Sequence, residues 1–157
     1  GAERIGQCEK HDTGVSFYGV YYGQAALPHA PERFFYLDNA VIRGLKVHNA
    51  ETSSDIPVYD LGAAAGRDPY EMFLGGARSI ITLTNPNVAK ERRLIVFRDS
   101  FGSSIAPLLA AGYSEITLVD IRYISSSSLG KLINFTNADD ALFLYSASVI
   151  NNSETIK

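Results

Sequence analysis

Residues 93–104 read Arg-Leu-Ile-Val-Phe-Arg-Asp-Ser-Phe-Gly-Ser-Ser, and this stretch decides the fold. Its apolar run is typical of a strand buried on both faces. The run stops at Asp99 and Ser100, and a helical segment is predicted from Ser104 to Ala111 immediately afterwards. In an open parallel sheet the carboxyl ends of the strands face the crevice where ligands bind. Ser100 therefore stands at a position where a nucleophile could stand.

Three further runs of the same apolar, β-branched character predict the rest of the main sheet. They are Ser79–Thr84, Glu115–Val119 and Ala141–Tyr145. Apolar side chains at helical spacing separate the later strands, with a glycine at the expected end of the first helix. These residues are Ile105, Leu108, Leu109, Gly112 and Tyr113, and then Leu129, Leu132, Ile133 and Phe135. The β-α-β-α-β order predicts a three-layer α/β fold with a mainly parallel sheet.

The amino-terminal third has a different character, rich in aromatic residues and glycine, which favours short strands and turns. Asp38-Asn39 lies between Phe34–Leu37 and Ala40–Val47, and this arrangement predicts a β-hairpin packed beside the main sheet. Val58–Leu61 is a further short strand candidate. Pro69–Phe73 reads as a helical turn opened by its proline.

Size and composition predict a single domain over residues 1–157, with 46% hydrophobic residues and no tryptophan. The net charge of −3 arises from 14 basic and 17 acidic residues without charge blocks, so nucleic acid and anionic membranes are not expected partners. The lone Cys8 cannot form an internal disulfide and leaves the redox compartment open. No apolar run has the length of a membrane span, and Gly1–Lys10 lacks a signal-peptide core.

Polar residues follow three of the predicted strands and should share one edge of the sheet. Asp99 and Ser100 follow the first, Asp120, Arg122 and Tyr123 follow the second, and Ser146 and Ser148 follow the third. The residues alone favour a helix cap for Asp99-Ser100, because both residue types accept hydrogen bonds from free helix amides. Asp120 and Arg122 suit either substrate binding or an internal salt bridge. Scattered acidic residues without a His/Cys cluster predict no metal site.

The chain resembles the carboxyl-terminal part of the DHHW family, bacterial proteins with an SGNH-hydrolase-like fold related to the domains that O-acetylate alginate. The resemblance covers about Phe17 to Asn152 and rests on blocks in the expected order. These blocks are Phe17-Tyr18-Gly19 with Tyr21-Tyr22, Val58-Tyr59-Asp60-Leu61, Tyr70 with Phe73-Leu74-Gly75-Gly76, Leu94 to Phe101, Ile116 to Tyr123, and Leu144-Tyr145-Ser146. The Arg-Asp-Ser-Phe and Asp-Ile-Arg-Tyr segments are its most specific elements.

The resemblance implies that Ser100 is the nucleophile of an acyl-transfer or deacylation site and that Asp99 shapes the turn presenting it. The family's Asp-His-His-Trp segment, which supplies the catalytic acid and histidine, precedes the region matched here. The chain contains neither an Asp-x-His sequence nor a tryptophan. Its three histidines, His11, His29 and His48, lie outside the family motifs, so by analogy none of them inherits the role of the base.

Two functions from different classes follow from these observations. The first is an SGNH-like esterase or O-acetyltransferase domain acting on cell-envelope glycans, without a cofactor and with catalysis impaired by the missing Asp-x-His half. The second is a non-catalytic remnant that binds glycan or serves as a scaffold. The resemblance implies a location in the cell envelope or outside the cell. A partial domain should also expose a sheet edge, covered by the hairpin around Asp38-Asn39 or by a second copy in a homodimer.

Overall fold

A computed structural model describes residues 7–19, 30–152 and 154, and these residues form eight strands and four α-helices. The strands are β1 (Glu9–Phe17), β2 (Glu32–Asp38), β3 (Lys46–Asn49), β4 (Ser54–Ile56), β5 (Ile80–Thr84), β6 (Arg93–Arg98), β7 (Glu115–Val119) and β8 (Asp140–Leu144). The α-helices are α1 (Ala40–Arg43), α2 (Phe101–Leu109), α3 (Ser126–Leu132) and α4 (Ala147–Asn151). Short 3-10 helices cover Ala63–Ala65, Pro69–Met72, Ala110–Gly112 and Phe135–Asn137.

Six of the strands form one mixed sheet in the order β4-β3-β5-β7-β6-β8, and β1 and β2 form a separate antiparallel pair. Strand β6 pairs in parallel with both β7 and β8. Helices α2 and α3 make the two crossovers that parallel pairing requires. The predicted β-α-β-α-β unit is therefore present in this half of the sheet.

The prediction of a mainly parallel, three-layer sheet is not confirmed. Strand β5 runs antiparallel to β7 and β3, and β3 runs antiparallel to β4. The reason lies in the connection between β5 and β6, residues 85–92, which contains no helix and is too short to return the chain for parallel pairing. The architecture is therefore mixed α/β.

Helices nevertheless pack on both faces of the sheet. On one face, Ala106 of α2 and the adjoining Ala110 contact buried side chains of the central strands, including Val96 and Leu118. On the other face, Leu129 of α3 joins a smaller cluster that contains Ile80, Ile95, Val119 and Ile133. Apolar residues point to both faces of the central strands, which explains why those strands read as continuous apolar runs in the sequence.

The predicted hairpin at Asp38-Asn39 is wrong. The Asn39 side chain accepts a hydrogen bond from the Ile42 amide (2.9 Å) and caps α1, so the chain enters a helix there instead of a turn. The hairpin-like pair is formed by β1 and β2. It packs through Val15, Phe34 and Tyr36 on a cluster of Ala64, Met72 and Phe73, and it does not pair with the main sheet.

Two smaller predictions in this region have different outcomes. Val58–Leu61 does not form a strand, and only Tyr59 makes a single antiparallel bridge, with Phe73. The helical turn opened by a proline is confirmed as the 3-10 helix Pro69–Met72, whose amino end is capped by Asp68. Tyr21, Tyr22 and His29 lie outside the described residues. No helix in the described part of the chain is long and apolar enough to cross a membrane.

Candidate active site

One edge of the main sheet gathers the polar residues that the sequence places after its strands. We call this edge the rim. It contains the ends of β6, β7 and β8 and the start of β5, because β5 is antiparallel to its neighbour. The Asp120 amide donates to the carbonyl of Ser79 (2.8 Å) and joins the loop after β7 to the start of β5, and the Ser146 amide donates to the Asp99 carboxylate (2.6 Å) and joins the loop after β8 to the loop after β6. The rim therefore brings together the three groups of candidate site residues.

Ser100 lies at the amino end of α2 with an exposed side chain. Its backbone is already helical (φ −57°, ψ −30°), and its side chain makes no capping hydrogen bond. No other described residue forms a hydrogen bond with its hydroxyl group. The helix-cap interpretation of Ser100 is thus not supported by its geometry, and the hydroxyl is accessible from solvent.

Asp99 performs the capping instead, and its side chain is almost completely buried. One carboxylate oxygen accepts the Phe101 amide (3.0 Å), and the other accepts the Ser146 amide (2.6 Å). The carboxylate thereby joins the turn after β6 to the turn after β8. Because both oxygens accept backbone amides from two different turns, Asp99 is suited to shaping the turn that presents Ser100.

Arg98 lies directly below the serine turn with its guanidinium group fully buried. It donates weakly to the Asp99 carbonyl (3.4 Å) and to the Arg78 carbonyl (3.2 Å), and it lies 3.8 Å from the Asp120 carboxylate. Loss of hydration on burial lowers the pKa of Arg98, and the Asp120 charge opposes this effect. A β-carbon at Gly102 would lie 2.6 Å from the Arg98 β-carbon, so α2 can approach only with glycine there.

Asp120 and Arg122 form the internal salt bridge that was one of the two interpretations of their sequence. The fully buried Asp120 carboxylate accepts Nε (2.9 Å) and Nη2 (2.6 Å) of Arg122 as a bidentate pair. This hydrogen-bonded carboxylate raises the pKa of Arg122. The Tyr123 ring is exposed, and the Arg122 guanidinium lies 5.4 Å from its centre. Tyr123 and the outer part of Arg122 are thus the accessible parts of this group.

Two tyrosines beside the serine turn were not among the predicted site residues. The Tyr70 hydroxyl donates to the Ser104 hydroxyl (2.7 Å), one helical turn after Ser100, and burial raises the pKa of Tyr70. The Tyr145 hydroxyl is buried without a hydrogen-bond partner among the described residues. Burial raises the pKa of Tyr145, and Asp120 and Asp99 reinforce the shift. Both tyrosines belong to the sequence blocks of the family resemblance, which was the available signal.

The described histidines are engaged elsewhere. His11 stacks on Tyr36 with ring centres 5.0 Å apart. His48 lies on β3 and contacts Asp55 at 3.0 Å. Two strands separate β3 from β6 in the sheet, which places His48 about 14 Å across the sheet from β6. In the described part of the chain, no imidazole is hydrogen-bonded to Ser100.

The donor set of the rim also differs from a metal site. Within residues 7–19, 30–152 and 154, no group of three or more His, Cys, Asp or Glu side chains is arranged to hold a metal ion. The rim carboxylates already accept hydrogen bonds from backbone amides or arginine. The Ser146 and Ser148 hydroxyls at the turn after β8 bind each other (2.9 Å), whereas the turn after β6 offers the Ser100 hydroxyl, which no described residue binds.

These features define a mixed α/β domain that presents a serine between a parallel strand and a helix. Solved structures share this fold. PatB1 of Bacillus cereus, in a structure with a sulfonyl adduct, is 20% identical with a TM-score of 0.69, over 94% of this chain and 49% of that one. A DHHW family protein from Eubacterium siraeum is 18% identical with a TM-score of 0.69, over 98% of this chain and 52% of that one. A second PatB1 structure is 19% identical with a TM-score of 0.66, over 94% and 51%.

The predicted resemblance to the DHHW family is thus confirmed at the level of the fold. The chain spans about half the length of each of these neighbours. No protein-family model matches the chain, and the search of curated proteins found no significant match.

Proposed function

We propose that the chain is an SGNH-like esterase or O-acetyltransferase-type domain whose nucleophile is Ser100 and whose catalysis is impaired. The observation that carries this proposal is the Ser100 turn itself. Its hydroxyl is exposed and makes no capping hydrogen bond, while the neighbouring Asp99 carboxylate accepts the Phe101 amide within the turn and the Ser146 amide of the turn after β8. A helix cap would use the serine hydroxyl, and this turn leaves it available.

The proposed reaction is attack by the Ser100 hydroxyl oxygen on the carbonyl carbon of an acetyl ester. A bond forms between that oxygen and the carbon, the ester C–O bond breaks, and the leaving alkoxide takes up the proton that the serine loses. The resulting acetyl-serine then transfers its acetyl group to water in an esterase, or to an acceptor hydroxyl in a transferase. In both steps a general base must accept the proton of the attacking hydroxyl or water and pass it to the leaving group.

Catalytic impairment follows because the described rim supplies no such group. An unassisted serine hydroxyl is a weak nucleophile, and a positioned base typically contributes about 10²–10⁴-fold to the rate. The rim carboxylates Asp99 and Asp120 accept hydrogen bonds from backbone amides and from Arg122, and neither is hydrogen-bonded to the Ser100 hydroxyl. Ser100 is therefore an accessible nucleophile without a base beside it in the described part of the rim.

As in the sequence-based prediction, we propose cell-envelope glycans as the substrate class and the cell envelope or the exterior as the location. Tyr123 offers an exposed aromatic face beside the Arg122 guanidinium, and Asp120 holds that guanidinium in place. A sugar ring could lie on the aromatic face with its hydroxyl groups near the outer edge of Arg122. Asp120 contributes through Arg122, without contacting the sugar.

The alternative function is a non-catalytic remnant that keeps the fold as a glycan-binding or scaffolding surface. The observation that favours it is the lack of an imidazole at Ser100 among the described residues. One structural neighbour, PatB1, was solved with a sulfonyl adduct, which is the product expected when a protein nucleophile attacks a sulfonyl reagent. Reaction of Ser100 with a sulfonyl reagent therefore distinguishes the two proposed functions of this chain.

The test is prolonged incubation with a small sulfonyl fluoride or fluorophosphonate in the presence of imidazole as an external base, followed by intact-mass and peptide-mass measurement. We expect one adduct on the wild-type chain and on Ser104→Ala, and none on Ser100→Ala. Ser104→Ala is the matched control, because it removes a hydroxyl one turn away on the same helix. If the wild-type chain stays unmodified, the remnant function replaces the proposed one.

A further inference from the structure

The buried Arg98 guanidinium has few good hydrogen bonds for a charge removed from water. Its Nε atom is buried and binds no described residue, and its hydrogen bonds to the Asp99 and Arg78 carbonyls are long, at 3.4 Å and 3.2 Å. The Asp120 carboxylate that faces it lies 3.8 Å away and binds Arg122 more closely. A buried charge needs short, saturated hydrogen bonds to offset its lost hydration. These contacts therefore offset only part of the cost of burying Arg98.

The carboxylate of Asp120 does not need Arg98 as a partner. It accepts the Nε and Nη2 atoms of Arg122 at 2.9 Å and 2.6 Å, and the Arg122 amide at 3.1 Å. An apolar side chain in place of Arg98 would thus leave no unpaired charge, and such replacements are often neutral or stabilising. Departures from the usual rules of burial are concentrated at functional sites. The position of Arg98 below the Ser100 turn therefore points to a role in the reaction.

The amide of Ser100 is a free donor in a turn whose other amides are bound. The Phe101 amide donates to the Asp99 carboxylate, the Gly102 amide to the Asp99 carbonyl (3.1 Å), and the Ser103 amide to the Ser100 carbonyl (3.1 Å). Among the described residues, none accepts a hydrogen bond from the Ser100 amide. The turn thus holds a free N–H group beside the free hydroxyl of the same residue.

A single peptide bond connects Arg98 to this free amide. The Asp99 carbonyl, which accepts Nη1 of Arg98, belongs to the same peptide group as the Ser100 nitrogen. In a trans peptide the C=O and N–H bonds point in opposite directions, so the N–H faces away from the buried guanidinium. A positive charge and a second donor, the Gly102 amide, at the carbonyl oxygen polarise the peptide group. The Ser100 amide is therefore a stronger hydrogen-bond donor than an ordinary amide.

We propose that Arg98 is a positioning residue for acyl transfer at Ser100, an inference that rests on the proposed function. When the Ser100 oxygen attacks the ester carbonyl carbon, negative charge develops on the carbonyl oxygen, and the Ser100 amide donates to that oxygen. Arg98 strengthens this donor through the Asp99-Ser100 peptide group. Fixed donors and charges shielded from water stabilise developing charge without reorganising. This contribution does not involve a base, so it is measurable when imidazole is added from outside.

The experiment measures the rate of Ser100 labelling by phenylmethanesulfonyl fluoride at a fixed imidazole concentration, by intact mass. Loss of a direct oxyanion donor typically costs about 10²–10³-fold, and for Arg98→Met, which acts through a peptide group, we expect about tenfold or more. Arg98→Lys keeps the charge and should stay within about threefold of the wild type. Arg92→Met is the matched control: Arg92 precedes β6 at its opposite end and pairs with Asp140, so labelling should change by less than about twofold.

Urea unfolding of the same variants separates a positioning role from a structural one. Arg98→Met should unfold at a urea concentration no lower than that of the wild type, because Asp120 keeps its hydrogen bonds to Arg122. A residue that only supports the fold would lose stability and labelling rate together. Arg98→Gln is a second uncharged variant for the same comparison.

The outcomes distinguish this inference from the proposed function. Equal labelling rates for the wild type and Arg98→Met would overturn the role of Arg98 and leave Ser100 as the proposed nucleophile. A wild-type chain that imidazole does not make reactive would overturn both. If neither uncharged variant folds, or if both lose stability in parallel with rate, Arg98 is a structural residue and the inference is wrong.

Discussion

The turn after β6 and the turn after β7 lie side by side on the rim, and each contains a buried aspartate, yet they use it differently. In the turn after β6, Asp99 binds two backbone amides and leaves the neighbouring Ser100 hydroxyl without a partner. In the turn after β7, Asp120 binds the Arg122 side chain and faces Arg98, so its charge is balanced inside the protein.

The two aspartates therefore have different effects on the reactivity of the rim. A carboxylate that binds backbone amides fixes the shape of a turn and can present a neighbour to solvent. A carboxylate that binds arginines stabilises a junction between loops and presents only the outer surface of one arginine. We therefore assign the nucleophile to the turn after β6, which contains Ser100. The turn after β7, which contains Asp120, stabilises the rim.

The largest loss of stability is expected when Asp120, in the turn after β7, is replaced. Asp120→Ala removes the negative charge that faces the buried Arg98, and leaving a buried charge unpaired typically costs about 3–5 kcal/mol. Urea denaturation should show a loss of unfolding free energy of that size. Asp55→Ala, at an exposed position on β4, is the control and should change stability by less than about 0.5 kcal/mol. A loss below about 1 kcal/mol for Asp120→Ala would mean that Arg98 does not need this carboxylate.

Replacing Asp99, in the turn after β6, should lower the unfolding free energy somewhat less, and it should also slow the reaction of Ser100. Asp99→Ala leaves the Phe101 and Ser146 amides without their acceptor, at an expected cost of about 2–3 kcal/mol. Asp99→Asn keeps one acceptor oxygen and should lose about half as much. Sulfonylation of Ser100 should slow in both variants, whereas Asp120→Asn should slow it less at temperatures where it stays folded. Equal slowing in all three would remove the distinction between the turns.

A third, smaller loss of stability is expected from the close contact between Gly102 of α2 and the Arg98 side chain. Gly102→Ala places a methyl group against the Arg98 side chain, and forced overpacking typically costs about 1–3 kcal/mol. Gly130→Ala is the matched control, because Gly130 lies within α3 and has nothing within 4 Å of an added β-carbon. Alanine has a higher helix propensity than glycine, so Gly130→Ala should stabilise the chain by about 0.5–1 kcal/mol. Thermal melts that show the same sign for both variants would contradict this packing.

The smallest effect on stability is expected at Glu51, which follows β3 and lies beside the start of β5 at the same edge of the sheet. It accepts the Ser79 amide at 2.6 Å, and this hydrogen bond lowers the pKa of Glu51 below its ordinary value of 4.5. Its stabilising contribution is thus present above pH 4.5 and lost as the pH falls through the lowered pKa. Glu51→Gln should destabilise the chain by less than about 1 kcal/mol at pH 7, since the pair is exposed. The difference in unfolding free energy between Glu51→Gln and wild type should shrink as the pH falls through the lowered pKa of Glu51, and a difference that widens on acidification would contradict the assignment.

Much of the parallel half of the sheet could be predicted from sequence, because strands buried on both faces carry continuous apolar runs. The runs that became β6, β7 and β8 lie where the pattern placed them. A helix lies in each connection as predicted, but α2 begins at Phe101 and not at Ser104, and α3 ends at Leu132, before Ile133 and Phe135. The direction of β5 could not be read in the same way. An apolar run does not encode strand direction, and only the helix-free connection at residues 85–92 contained that information.

The site residues illustrate the same limit. The positions of Asp99, Ser100, Asp120 and Arg122 on one rim follow from the strand order. Which group caps the helix could not be predicted, because aspartate and serine accept the same backbone amides. The hairpin at Asp38-Asn39 failed for a related reason, since asparagine favours both turns and helix caps.

The most direct test of the central claim is the rate of Ser100 sulfonylation in the presence of added imidazole. If Ser100 is presented without a base, neutral imidazole should accelerate labelling of the wild-type chain by about tenfold or more, in proportion to its concentration, and Ser100→Ala should remain unlabelled. Rapid labelling that imidazole does not change would show that the chain already supplies a base. No labelling at any imidazole concentration would show that Ser100 is not a presented nucleophile.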